Sequence, residues 1–321
     1  MPLLQSSYRA PWCLHNGHLQ TVLPTLFRRV FGVKYLRERI DTPDGDFLDL
    51  DWSRIGSRRL AVLCHGLEGT STRAYIQGMA RACNRRGWDA LAWNYRSCSG
   101  VINRTPRFYH MGATEDLETV LQHARNLKSY DSLVLVGFSM GGNLILKYLG
   151  ERPPELQQAI SRAVAFSVPC DLKASAEYLA RPQNAVYMKR FIKMFRKKVE
   201  AKARLFPGKI STEYLEDMST FREWDEYYTA PLHGFRSAED YWAKCSSVKF
   251  IPHIKIPTLL VNARNDPFLP KECYPVELAR SMPYFFLETP KSGGHVGFIA
   301  FNRNGEFWSE RRAGEFLQQG D

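Results

Sequence analysis

The stretch that most constrains the fold of this 321-residue chain is Gly137-Phe138-Ser139-Met140-Gly141-Gly142. It follows Leu133–Gly137 (LVLVG), apolar enough to be a strand buried on both faces, and precedes a helical pattern over Gly141–Leu149. A chain passing from buried strand to helix across one serine must turn sharply, and only very small neighbours fit beside such a turn. A serine held there stands at the strand's carboxyl end, with the free N–H groups of the helix's first turn aimed at whatever it attacks. That context separates the motif from a chance G-x-S-x-G and makes Ser139 the candidate nucleophile.

The same alternation runs through most of the chain. Leu60–Cys64, Trp88–Asn94, Ser161–Val168, Ile256–Ala263 and Tyr284–Glu288 read as strands, and Asp46–Ser53 (DFLDLDWS) as an early, half-exposed one. Helical patterns fall over Thr72–Arg86, Thr114–Lys128 with Thr114 as N-cap, Lys271–Ser281 and Glu306–Leu317. This predicts an α/β fold, a mostly parallel central sheet with helices on both faces. Between Asp171 and Phe250 the strand rhythm stops, and helical patterning, aromatics and charge take over. Residues 171–250 are therefore expected to form a helical cap, with 1–170 and 251–321 as the core. Ligands of open α/β sheets bind at the strands' carboxyl edge, where such an insertion would sit.

A serine hydroxyl attacks only when a base removes its proton. Of eight histidines, His295 lies in Ser292-Gly293-Gly294-His295-Val296-Gly297, a flexible loop between the last strand and the last helix. This is the place that the chain order Ser…Asp…His assigns to the base. The orienting acid belongs just past a strand end. Asp266 directly follows the strand at 256–263 and is the first choice, while Asp171, one strand earlier, competes. For the oxyanion, the N–H of Met140 is one expected donor and that of Leu67, in the loop after the strand at 60–64, the other. His65 precedes the nucleophile in that loop and reads as a residue shaping the turn. Arg96 and His110, on the loop after Trp88–Asn94, are expected near the same edge, in a structural or a substrate-contacting role.

Composition excludes several classes. Seven scattered cysteines with no C-x-x-C pair argue against a disulfide framework or a zinc site, and fit reduced thiols in a cytoplasmic protein. Arg9, His15 and His18 interrupt any leader-like apolar run, and no stretch of some 18 apolar residues reads as a span. The net charge of +11 is concentrated: from Arg181 to Lys209 there are ten Lys or Arg against one acid, Glu200. The remainder is nearly balanced, so a protein-wide nucleic-acid surface is not indicated. Within that segment, Tyr187–Arg204 gathers Tyr187, Met188, Phe191, Ile192, Met194, Phe195 and Val199 into one helical arc, with Lys198 and Lys202 intruding on it. It reads either as a cap helix with a solvated basic face or as a lid whose basic face meets an acidic substrate or anionic lipid, in a peripheral membrane contact.

With these motifs placed, the chain resembles the YheT-like branch of the α/β-hydrolases. The resemblance runs nearly end to end through Asn16-Gly17-His18-Leu19-Gln20-Thr21, Pro43-Asp44-Gly45-Asp46-Phe47, His65-Gly66-Leu67-Glu68-Gly69 and Asn94-Tyr95-Arg96-Ser97-Cys98-Ser99-Gly100. It continues through Tyr109-His110, the Ser139 motif to Asn143, Asn265-Asp266-Pro267-Phe268 and Gly293-Gly294-His295-Val296-Gly297-Phe298-Ile299. It implies an α/β-hydrolase fold and a carboxylic-ester hydrolase using Ser139, Asp266 and His295, and favours Asp266 over Asp171. Eukaryotic members carry an N-terminal membrane anchor; this chain begins almost at its HLQT segment, and anchoring is not carried over. The expected substrate is a small-molecule or lipid ester, and the chemistry needs neither metal nor organic cofactor. Thioester and phospholipid hydrolysis use the same machinery, and a non-catalytic binding or scaffold role is the reading from another class.

Overall fold

Apolar runs that alternate between two cores explain the centre of the molecule. A computed structural model describes residues 2–127, 130–302 and 304–318. Among them, nine strands form one sheet: β1 (Leu3–Leu4), β2 (Leu36–Asp41), β3 (Phe47–Ser53), β4 (Arg59–Cys64), β5 (Asp89–Asn94), β6 (Ser132–Phe138), β7 (Arg162–Phe166), β8 (Thr258–Val261) and β9 (Phe285–Glu288). Their order is β1-β9-β8-β7-β6-β4-β5-β3-β2. Pairings from β1 to β5 are parallel, whereas β3 runs antiparallel to both β5 and β2. This is the α/β-hydrolase architecture expected from the sequence.

Strand periodicity of two sends Leu60, Val62 and Cys64 of β4 and Leu133 and Leu135 of β6 into one core. Ala61, Leu63, Val134, Val136 and Phe138 enter the other, on the opposite face. Helices cover both faces, which is why these strands read as continuous apolar runs. A third apolar cluster lies in the helical segment between β7 and β8, built from helices Leu172–Leu179, Ala185–Leu205 and Ala238–Cys245 with their connections.

Several expectations need correction. β3 is buried along its whole length rather than half-exposed. Its alternating Asp49 and Asp51 are covered by Arg39 and Arg37 of β2, paired at 2.7 Å in each case. A polar alternation thus marks an ion-paired strand here and not a wet face. Thr114 is the first residue of helix Thr114–Asn126 rather than its N-cap, and its hydroxyl turns to Glu151. Lys128, the expected end of that helix, lies outside the described residues.

Arg96 is part of the same ionic interior. Its guanidinium is 2% exposed and meets Asp44 at 2.7 Å, Asp46 at 3.1 Å and Asp116 at 2.6 Å. Asp116 is itself enclosed and its carboxylate is met by Arg96, so removing the cation leaves a buried charge uncompensated, while Asp46 keeps the Thr105 hydroxyl and the Arg104 and Phe47 N–H groups. Arg96→Met is expected to cost about 3–5 kcal/mol of stability, read from the shift in a urea unfolding midpoint. A cost below about 1 kcal/mol would mean that the network contributes little.

Candidate active site

The strand-to-helix turn forces the position of Ser139. The residue sits at φ 52°, ψ −118°, outside the regions open to L-residues without strain. Two glycines make the turn possible. A Cβ on Gly137 would stand 2.5 Å from the Gly141 carbonyl oxygen, and one on Gly141 would stand 2.3 Å from that of Cys64. The Ser139 N–H donates to the Phe166 carbonyl at 2.8 Å, which ties the strained residue to β7. Met140 opens helix Met140–Glu151, so its N–H has no intrahelical acceptor.

Asp266 follows β8 and His295 follows β9, and the sheet order sets both beside the end of β6. His295 Nε2 lies 2.9 Å from Ser139 Oγ. Its Nδ1 lies 2.9 Å and 3.1 Å from the two carboxylate oxygens of Asp266. The Asp266 side chain is fully enclosed and accepts the Phe268 N–H at 2.8 Å. The structure thus brings Ser139, His295 and Asp266 into one hydrogen-bonded chain. Asp171 stands elsewhere, as N-cap of helix Leu172–Leu179, accepting the Ala174 N–H at 3.0 Å.

The Leu67 loop is organised by its neighbours. The Gly69 N–H closes a tight turn onto the Gly66 carbonyl at 2.9 Å. The Gly66 N–H donates to the Tyr75 hydroxyl, and the Glu68 N–H to the Tyr109 hydroxyl, each at 2.9 Å. With those three engaged, Leu67 is the turn residue whose N–H meets no protein acceptor among the described residues. Its loop adjoins Ser139, since a Cβ on Gly66 would come within 3.3 Å of the serine Cβ. His65 is wholly enclosed; its ring lies 2.7 Å from the Gly66 carbonyl and accepts the Tyr95 N–H at 3.3 Å. Burial pushes its pKa down to about 3, so it is neutral and cannot serve as a charged group.

Sequence reading missed the residues that hold these parts. The Thr21 hydroxyl accepts the His295 N–H at 2.8 Å, the Asn265 side chain accepts the Gly294 N–H at 3.0 Å, and Ser167 accepts the Val296 N–H at 2.9 Å. The Phe268 ring stacks on the His295 imidazole, 4.0 Å between centroids. Helix Gly17–Phe27, capped by Asn16, carries Thr21 to this place. Its signal was in the Asn16–Thr21 motif, which has no periodicity that would announce an active-site wall. The helical segment also reaches the Leu67 turn: Lys198 Nζ lies 2.5 Å from Glu68, whose carboxylate accepts the Tyr109 hydroxyl at 2.6 Å.

Ser139, His295, Leu67 and Met140 all open on one cavity of ≈ 250 Å³. Its far walls come from the helical segment, with Phe191, Phe195 and Trp224 among them, so the space beyond the serine is mainly apolar. His110 lines it as a buried ring packed on His233 at 4.6 Å, whereas Arg96 belongs to the ionic interior. No group of three or more His, Cys, Asp or Glu side chains among the described residues is arranged to hold a metal ion.

Comparison with known proteins gives a consistent family. The profile of the alpha/beta hydrolase fold matches residues 61–300. YheT of Escherichia coli (strain K12) is 33% identical over 310 residues, covering 94% of this chain and 90% of that protein. Phospholipase ABHD3 of Bos taurus is 30% identical over 92% of this chain and 74% of its own length. Among solved structures, the Pyrococcus furiosus esterase Pf2001 superposes with a TM-score of 0.60 over 91% of this chain and 96% of that one. At 19% identity that likeness speaks for the fold alone.

Proposed function

We propose, because the chain belongs to the YheT-like branch of the α/β-hydrolase fold family, that it is a serine hydrolase cleaving carboxylic esters through an acyl-enzyme on Ser139. The observation that carries this reading is the continuous hydrogen-bond chain Ser139–His295–Asp266 opening on an apolar cavity. Kinship with YheT and with a phospholipase supports hydrolase activity in general; the acyl-enzyme route is our reading of the geometry.

In that reading His295 Nε2 takes the Ser139 proton as Oγ attacks the ester carbonyl, and buried Asp266 fixes the tautomer and stabilises the imidazolium. The N–H groups of Leu67 and Met140 receive the negative charge that develops on the carbonyl oxygen, a contribution worth about 10²–10³ in turnover per donor. His295 then returns the proton to the leaving alcohol. Water, deprotonated by the same base, releases the acid and restores Ser139. The helical segment 171–250 serves as a cap whose aromatic side chains receive the acyl chain, which favours esters of apolar acids. Six of the seven cysteines are buried free thiols, which supports a reducing compartment such as the cytoplasm.

The test is to treat the protein with a fluorophosphonate probe and assay esters of graded acyl length. Wild type is expected to take one label on Ser139 and to prefer acyl chains long enough to fill the cavity. Ser139→Ala should take none. Labelling that survives in Ser139→Ala would sink the proposal.

A further inference from the structure

Helix Gly17–Phe27 is built in an unusual sense. Its Gly17, Gln20 and Thr21 side packs on the protein, holding the loop that carries His295. Leu19, Val22 and Leu26, spaced three and four apart, lie on the opposite side, within about 60° of one another at 100° per residue. They face outward: Leu19 is 46% and Leu26 64% exposed, and the adjoining Phe27 is 71% exposed. An apolar row turned to solvent gains nothing for the fold, and contiguous exposed apolar groups mark interaction surfaces. Val22 and Leu26 also line the cavity that opens on Ser139, so the row borders the mouth through which a substrate enters.

The other bank of that mouth is cationic. The His18 ring lies 3.0 Å from the Tyr187 hydroxyl, which joins this helix to the start of Ala185–Leu205. There Val186, Lys189, Arg190, Lys193 and Lys197 fall within about 100° of helical arc. All five are exposed, and Arg190 lines the cavity. None of the four cations meets an acid or a hydrogen-bond acceptor among the described residues. The one carboxylate on this side of the helix is Glu200, near its far end. Lys198 and Lys202 of the same helix are turned inward, each with protein partners. Only the outward cations are left for something outside the molecule.

Apolar side chains beside unpaired cations, around the mouth of a site read as taking apolar esters, have one natural counterpart: a lipid surface bearing negative charge. We infer that the mouth docks on an anionic bilayer, with Leu19, Val22, Leu26 and Phe27 entering the headgroup–acyl boundary and Lys189, Arg190, Lys193 and Lys197 meeting lipid phosphates. Docked this way, a lipid ester passes from the membrane into the cavity with little contact with water. The membrane as substrate source rests on the ester-hydrolase reading; the docking itself does not.

Binding is tested without turnover, using Ser139→Ala protein in co-sedimentation with phosphatidylcholine vesicles with and without phosphatidylglycerol. The protein is expected to sediment with the mixed vesicles and much less with phosphatidylcholine alone. Each basic residue at a membrane surface contributes about 1 kcal/mol, so the combined change K189E/K193E/K197E should weaken binding by about 10²-fold or more. L19S/F27S should weaken it by about tenfold. In the Ser139 background, both combinations should leave hydrolysis of a water-soluble short-chain ester within twofold of wild type, which shows that they fold. Equal binding to both vesicle types, binding unchanged in both combinations, or no binding to either vesicle overturns the inference. So does a protein that ignores vesicles but self-associates through Leu19 and Phe27. If the soluble ester is not cleaved at all while anionic vesicles are still bound, the hydrolase reading fails and the docking stands.

Discussion

His295→Ala is expected to lower kcat for ester hydrolysis by about 10⁶-fold, with KM changed little. The size follows from what the imidazole does. Without it the Ser139 hydroxyl keeps its proton, and the leaving alcohol has no acid to receive one from. Because Oγ and Nε2 act as a unit across their 2.9 Å contact, adding Ser139→Ala to His295→Ala should cost almost nothing more. Residual activity of about 10³–10⁴ over water, from the Leu67 and Met140 donors and from binding, is expected in all three proteins. A double variant slower than either single one by the product of their losses would show that the two residues act independently, and the hydrogen-bond chain would then not be the reacting unit.

The three members of that chain were legible because local sequence determines where each must go. Ser139 is flanked by glycines whose Cβ atoms would collide with backbone, so the turn is written in residue type. Asp266 and His295 lie just past strands whose apolar character is plain, and parallel order brings such ends to one edge. The supports were not legible for the opposite reason. Thr21 reaches His295 across 274 residues of sequence, and Ser167 reaches Val296 across 129. Nothing local to a threonine says which distant N–H it will accept. The edge of the sheet misled in another way. Charged positions in β2 (LRERID) and β3 (FLDLDWS) look solvent-facing when each strand is read alone. Only when the strands pair do Arg37 and Arg39 become the cover for Asp51 and Asp49. The apolar row of helix Gly17–Phe27 is harder still, since its outward face is the apolar one and period alone would place that face inward.

Asp266→Asn is expected to lower kcat by about 10⁴-fold without disturbing the fold. The amide keeps the shape of the carboxylate and can still accept the Phe268 N–H, but it presents an N–H₂ where His295 Nδ1 needs an acceptor. The imidazole then favours the tautomer with its proton on Nε2, the atom that must accept from Ser139, and the imidazolium loses its buried counter-charge. Asp171→Asn separates this role from the competing one. Asn caps a helix about as well as Asp, so the helix from Leu172 to Leu179 should hold, and kcat should stay within about threefold of wild type. The pair of variants matters because both aspartates follow strands of the same edge, and strand-end position by itself does not choose between them. What chooses is one strand of lateral offset: β8 delivers Asp266 to within 2.9 Å of the imidazole, while β7 delivers Asp171 to a helix N-terminus. If Asp171→Asn proved the slower enzyme, the acid would have to reach His295 in a conformation different from this one, with the helix Leu172–Leu179 displaced to release it.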